Sequence, residues 1–172
     1  VSNTAAITTD STVAAPTMAL ATDTGTSSSD NITSDATMNV TLASDVASWE
    51  YSLDGGSNWT AGSGTAFELS DDTTFSIGDI QVKQTDTAGN VSSATSNAAS
   101  ITTDSTVAAP SIVLATDTGT SSSDNITSDA TVNVTLAADV ASWQYSLDSG
   151  SNWTTGSGTS FELTANSSFA IG

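Results

Sequence analysis

The side chains with chemistry to offer in this chain are carboxylates, joined by one amide. Asp10, Asp23, Asp30 and Asp45 recur as Asp104, Asp117, Asp124 and Asp139, each pair 94 positions apart, while Asp86 and Asn90 occur once. Oxygen donors of this kind suit a hard cation. Ca²⁺ takes about six to eight oxygen ligands from carboxylates, amides and carbonyls in flexible geometry, whereas Mg²⁺ demands a rigid octahedron and keeps its waters. Carboxylate pairs also serve glycoside hydrolysis, which needs an acid of raised pKa in an enclosed cleft.

Sixteen Asp and three Glu face one basic residue, Lys83, for a net charge of −18 over 172 residues. Such a chain repels nucleic-acid phosphates and anionic membranes and attracts cations. There is no His, Cys or Arg. That removes the usual general base, the thiol nucleophile, the soft metal ligands and the arginine clamp. No stretch is apolar enough to insert in a membrane as a helix. By charge alone, the carboxylates either hold cations or simply keep the protein in solution.

The elements that position these residues come in duplicate. "ITTDSTVAAP" at Ile7 to Pro16 returns at Ile101 to Pro110, and the match continues to "FAIG" at Phe169 to Gly172 with roughly four-fifths identity, the mark of a tandem repeat. The reading is a tail of a preceding repeat over 1–6, a complete repeat over 7–100, and a second repeat over 101–172 that lacks its last two strands. Those strands come either from continuation of the chain or from a neighbouring chain, and continuation is the expectation.

Short runs alternate apolar and polar residues between Gly, Asp, Asn and Ser clusters, which predicts strands and no helix. The expected strands A to G of the first repeat lie in "PTMALA", "ATMNVTL", "ASWEYSLD", "NWTAG", "TAFEL", "DIQVKQTD" and "NVSSATSNAAS". About seven strands per unit, with an inward Trp on the third, predict an all-β fold of tandem immunoglobulin-like sandwiches.

The strings "TTDSTVAAP", "DTGTSSSDNITSD", "WEYSLDGGSNWTAGSGTAFEL" and "GDIQVKQTDTAGNVSS" together resemble the bacterial immunoglobulin-like extender repeats of large, type-I-secreted RTX adhesins. The resemblance covers the whole chain. It implies an extracellular, cell-surface protein whose repeats are non-catalytic spacers in an adhesin, biofilm or matrix fibre, and it implies Ca²⁺ at the domain junctions that stiffens the filament. Partners would be neighbouring repeats of the same chain and identical chains in a fibre.

Strand counting then sorts the loops. The A–B, C–D and E–F loops belong at the end where strand G leaves, with Asp23, Asp30, Asp35, Asp54, Asp71, Asp72 and Asp79. The B–C and F–G loops belong at the opposite end, where Asp10, Asp45, Asp86 and Asn90 should cluster. Unit charges about 4 Å apart repel by roughly 1 kcal/mol in water, and more where partly buried. One Lys cannot offset this, so the metal ligands expected are Asp10, Asp23, Asp30, Asp45, Asp86, Asn90, Asp104, Asp117, Asp124 and Asp139, with Ca²⁺ as the ion. Neither an EF-hand loop nor an RTX nonapeptide is present.

Two octapeptides, "SLDGGSNW" and "SLDSGSNW", fit the S-x-D-x-G-x-x-W box of sialidase propellers. Propeller boxes recur about every 40 to 50 residues. Here the spacing is 94 and no Arg exists to hold an acidic sugar. The local expectation is a turn in which Ser52 and Asp54 bond backbone amides and Trp59 folds over the hairpin. Trp49 is expected in the core; an exposed Trp with a bound Ca²⁺ would instead make a glycan-binding module. Small repeated sandwiches offer no obvious cleft, so catalysis is not expected.

Overall fold

Alternation decides where strands form, and the computed structural model, which describes residues 2–169, bears the all-β reading out. The chain divides into a compact unit ending at Thr106 and another beginning at Val107.

The first unit contains β1 (Thr17–Leu20), β2 (Ile32–Thr33), β3 (Thr37–Thr41), β4 (Val46–Ser52), β5 (Thr60–Ala61), β6 (Ala66–Glu68), β7 (Thr74–Phe75), β8 (Gln81–Asp86), β9 (Thr95–Ser96) and β10 (Ile101–Thr103). One sheet has the order β1-β3-β6 and another β5-β4-β8-β9. Alternate residues of each turn inward. Met38 and Val40 of β3 and Phe67 of β6 meet Trp49 of β4 and Val82 of β8 in one cluster, completed by Leu69, Phe75, Ile80 and Ile101. Each fully buried aliphatic or aromatic side chain of this kind contributes about 1.5–3 kcal/mol. Trp49, Tyr51 and Phe67 form the aromatic centre, with Tyr51 stacked on Phe67 at 4.4 Å.

A third small sheet, β2-β10-β7, was not legible from alternation. It shifts the end of the unit. Ile101 opens the second copy of the sequence repeat, yet it is 6% exposed and pairs with Phe75 in the first unit's core. Thr102 and Thr103 pair in parallel with Ile32 and Thr33. The sequence repeat and the packed unit are therefore out of phase by a few residues. The seventh strand, expected across 90–100, is only Thr95–Ser96.

The second unit contains β11 (Ser111–Leu114), β12 (Thr131–Thr135), β13 (Gln144–Tyr145), β14 (Thr154–Thr155) and β15 (Ser160–Glu162). Its sheets are β11-β12-β15 and β13-β14, the counterparts of β1-β3-β6 and β4-β5. The tail assigned to 1–6 and the closing "FAIG" fall partly on Val1 and residues 170–172, outside the described residues. Among the described residues no helix is long and apolar enough to cross a membrane.

Candidate metal centre

Asp45 precedes β4 and Asp86 ends β8, and these strands are antiparallel neighbours with Val46 opposite Asp86. Pairing thus sets both aspartates at one end of the sheet, and the Asp45 carbonyl accepts the Thr87 amide at 3.0 Å. Asp10 comes from the segment that leads into β1. Three bonds pin that segment. The buried Gln84 amide donates to the Ala14 carbonyl at 2.7 Å, Thr95 Oγ1 donates to the Pro16 carbonyl at 2.6 Å, and Asn90 Nδ2 donates to the Asp10 carbonyl at 3.3 Å.

The result is the cluster the loop sorting predicted. Asp10, Asp45 and Asp86 each place a carboxylate oxygen within 4.8 Å of the others. Asp86 is 2% exposed. Its Oδ1 accepts the amides of Ala88 at 2.9 Å and Asn90 at 2.8 Å, and its Oδ2 accepts Asn90 Nδ2 at 2.7 Å. These bonds, the Asn90 side chain foremost, hold the Asp86 carboxyl below its ordinary pKa, against burial, which works the other way. A carboxylate offers about four lone-pair sites. Three are used, so Asp86 would hold a cation through Oδ2 alone.

The donor set fits a hard cation and no soft one. Every candidate atom is oxygen, and the chain has no His or Cys. The single basic side chain is committed elsewhere: Lys83 Nζ lies 3.2 Å from Glu50 and 3.9 Å from the centre of the Trp59 ring.

The other expected ligands lie outside this group. Among the described residues, Asp10, Asp45 and Asp86 are the only three carboxylates so grouped, and Asp23, Asp30, Asp104, Asp117, Asp124 and Asp139 join no such group. Asp23 Oδ2 accepts the Asn31 amide at 3.0 Å and Asp30 Oδ1 accepts the Ile32 amide at 3.1 Å, so both shape the loop between β1 and β2. Asp117 and Asp124 repeat this on Asn125 and Ile126. The second oxygen of Asp23, and likewise of Asp117, is buried with no protein partner. The Asp104 amide donates to the Thr33 carbonyl at 2.8 Å. Behind it, Asp72 accepts the Ser105 amide at 2.9 Å and tethers the exit of the first unit.

Both octapeptides form closed turns. In the first, Ser52 Oγ accepts the Gly56 amide at 2.9 Å and donates to Asp54 Oδ1 at 2.7 Å. Asp54 also takes the backbone and side-chain amides of Asn58 at 2.8 and 2.6 Å. The second repeats every one of these bonds around Ser146 and Asp148. The Asp54 carboxylate is occupied by the turn and is not part of the Asp10–Asp45–Asp86 group. Its neighbour Gly55 donates to the Asp79 carbonyl at 2.9 Å, which sets this turn beside the loop before β8. No protein-family profile matches the chain, and no curated protein matches it.

Proposed function

We propose that this chain is a stretch of non-catalytic spacer repeats from a secreted, cell-surface adhesin or matrix fibre, stiffened by Ca²⁺. The observation that carries the reading is the Asp10–Asp45–Asp86 cluster. Two of its members belong to the body of a sandwich and the third to the segment that enters it. A cation shared by the three ties that linker to the domain. Without the cation, the same carboxylates repel one another and the linker is looser. Asp104 and Asp139 are the sequence counterparts of Asp10 and Asp45, so the device is written to recur along the chain. The likeness to extender repeats of RTX adhesins supports the extracellular placement, where calcium is plentiful. The buried, unpartnered oxygen of Asp23 supports a further oxygen-ligated ion in the loop after β1. The glycan-binding alternative is weaker because Trp59 is roofed by Lys83 rather than offered as a platform.

Calorimetric titration of Ca²⁺ into the chain tests the site. Binding is expected, and Asp10→Asn and Asp45→Asn should each weaken it. Small-angle scattering of a longer tandem tests the stiffening, with a larger maximum dimension expected in calcium than in chelator. No binding heat together with an unchanged dimension and melting temperature would overturn the proposal.

A further inference from the structure

All the sulfur of the chain lies in two thioethers, Met18 and Met38, and there is no Cys. Both belong to the first unit, and the second carries Ile112 and Val132 in their places. The registers agree: Met18 faces Val40 and Leu20 faces Met38, as Ile112 faces Val134 and Leu114 faces Val132. The strand pairing therefore does not require sulfur at either position, and one unit alone carries it.

The two sulfurs meet solvent differently. Met38 is on the central strand β3, between β1 and β6, and is 1% exposed. Met18 is on the edge strand β1 and is half-buried, packed against the same core. The wall across from β1 leaves it open. β9 is only Thr95–Ser96, and just beyond it Asn97 spends its whole side-chain amide on other partners. Its Oδ1 accepts the amides of Gly78 and Ile80, each at 3.0 Å, and its Nδ2 donates to the carbonyls of Ser76 and Ala99, each at 2.8 Å. The segment is held there rather than paired with β1. Between the two remains a cavity of about 310 Å³, open on one side and bordered by Met18, Leu20, Met38, Asn97 and Ile101. A water takes up about 30 Å³, so a small peroxide enters with room to spare.

We infer that Met18 is a modification site for hydrogen peroxide, and that its sulfoxide loosens the edge of the first sandwich. The thioether sulfur attacks one peroxide oxygen with a lone pair. The S–O bond forms as the O–O bond breaks, sulfur is oxidised by two electrons and the peroxide is reduced. The proton on the transferred oxygen passes to the departing hydroxide, which leaves as water. No acid or base of the protein is needed. The sulfoxide is polar and chiral where the thioether was apolar and flexible, so the inward face of β1 loses part of its hold on the core. Met38 stays reduced because the reagent reaches its sulfur only when the unit opens. The inference does not depend on calcium.

The test is timed exposure of the folded chain to hydrogen peroxide, followed by cleavage at aspartate, which separates Met18 from Met38, and mass analysis of the fragments. Met18 should gain oxygen roughly tenfold or more faster than Met38 in the folded chain, and the two should react alike in concentrated urea. Once Met18 is oxidised, amide hydrogen exchange at 17–20 and 37–41 should quicken, while exchange at 111–114 and 131–135 should not. Met18→Ile installs the residue that the second unit carries at this place, and its exchange should not respond to peroxide. Equal rates for the two methionines in the folded chain would overturn the inference, and so would exchange across β1 and β3 left unaltered by a fully oxidised Met18. A response in Met18→Ile equal to the parent's would do the same, because it would trace the loosening to another residue.

Discussion

Asn90 holds Asp86 from two sides, donating its backbone amide to Oδ1 at 2.8 Å and its side-chain amide to Oδ2 at 2.7 Å. The same side chain reaches the Asp10 carbonyl. One residue therefore orients the buried carboxylate and the linker that must approach it, and a neutral amide does this without adding a fourth negative charge.

Asn90→Ala should leave the carboxylate count unchanged and still weaken calcium binding. At a free concentration about 100 times Kd, a ligand specific for the folded state adds about 2.7 kcal/mol. A tenfold loss of affinity removes about 1.4 kcal/mol of that. Thermal unfolding at fixed free Ca²⁺ should then give a smaller rise over chelator than in the parent. An equal rise would mean that Asn90 orders the turn and nothing more.

Acid should loosen the two octapeptide turns. The Asn58 side chain, the Asn58 amide and Ser52 together pull Asp54 down to about 2 from an ordinary 3.8. Asp148 is lowered in the same way by Asn152 and Ser146. A carboxyl whose pKa is lower folded than unfolded takes up its proton more readily when unfolded. Its contribution is complete above the unfolded value, declines as pH falls below about 4, and is lost once pH passes the folded value. Melting temperature measured from pH 5 to pH 2 should fall less steeply in Asp54→Asn/Asp148→Asn than in the parent. The slope should be shallower rather than flat, because Asp35, Asp72, Asp86 and Asp129 are also held low by hydrogen bonds. An unaltered slope would refute the assignment.

The core and one end of the sandwich were legible because both rest on strong local patterns. Period-2 alternation placed Met38, Val40, Trp49 and Val82 inward, and antiparallel strand counting brought Asp45 to Asp86. What alternation cannot carry is a strand of two or three residues whose partners are distant. Thr102 meets Ile32 and Thr74, and nothing in "ITT" announces either. The sequence repeat begins at Ile101 because that is where identity resumes, while packing gives Ile101 to the unit before. Asp23 and Asp30 failed to join a carboxylate group for a local reason. Both lie in the loop between β1 and β2, where each accepts an amide of that loop and no further carboxylate is grouped with them, a placement that spacing alone does not reveal.

Lys83 offers a test of how little a surface ion pair contributes. It faces Glu50 across β4 and β8, and both side chains stay partly exposed, at 25% and 44%. An exposed pair is worth about 0–1 kcal/mol, and an ammonium over a half-buried indole such as Trp59 about 0.5–2. Lys83→Met keeps most of the stem over Trp59 and removes the charge. Urea unfolding should shift by no more than about 2 kcal/mol, and the shift should shrink in high salt. A larger loss, insensitive to salt, would mean that Lys83 acts through packing.

Gly62 and Trp49 give the sharpest steric prediction. A Cβ on Gly62 would stand 2.1 Å from Cε2 of the indole, and on Gly156 it would stand 2.2 Å from the same atom of Trp143. Trp49 has little room to retreat. It is 5% exposed, its carbonyl accepts the Gly62 amide at 2.8 Å, and its Nε1 donates to the Gly64 carbonyl at 3.0 Å. Gly62→Ala should cost about 1–3 kcal/mol, as overpacking a filled core does, and should alter the near-ultraviolet dichroism of the buried indole. Gly64→Ala is the control. Gly64 has a φ of +63° with open space beyond it, so its substitution strains only the backbone. It should destabilise through the left-handed conformation, by about 1–2 kcal/mol, while leaving the Trp49 signal as it was. Two variants of similar stability would thus differ in spectrum, and identical spectra would show that Gly62 is not kept small by the ring.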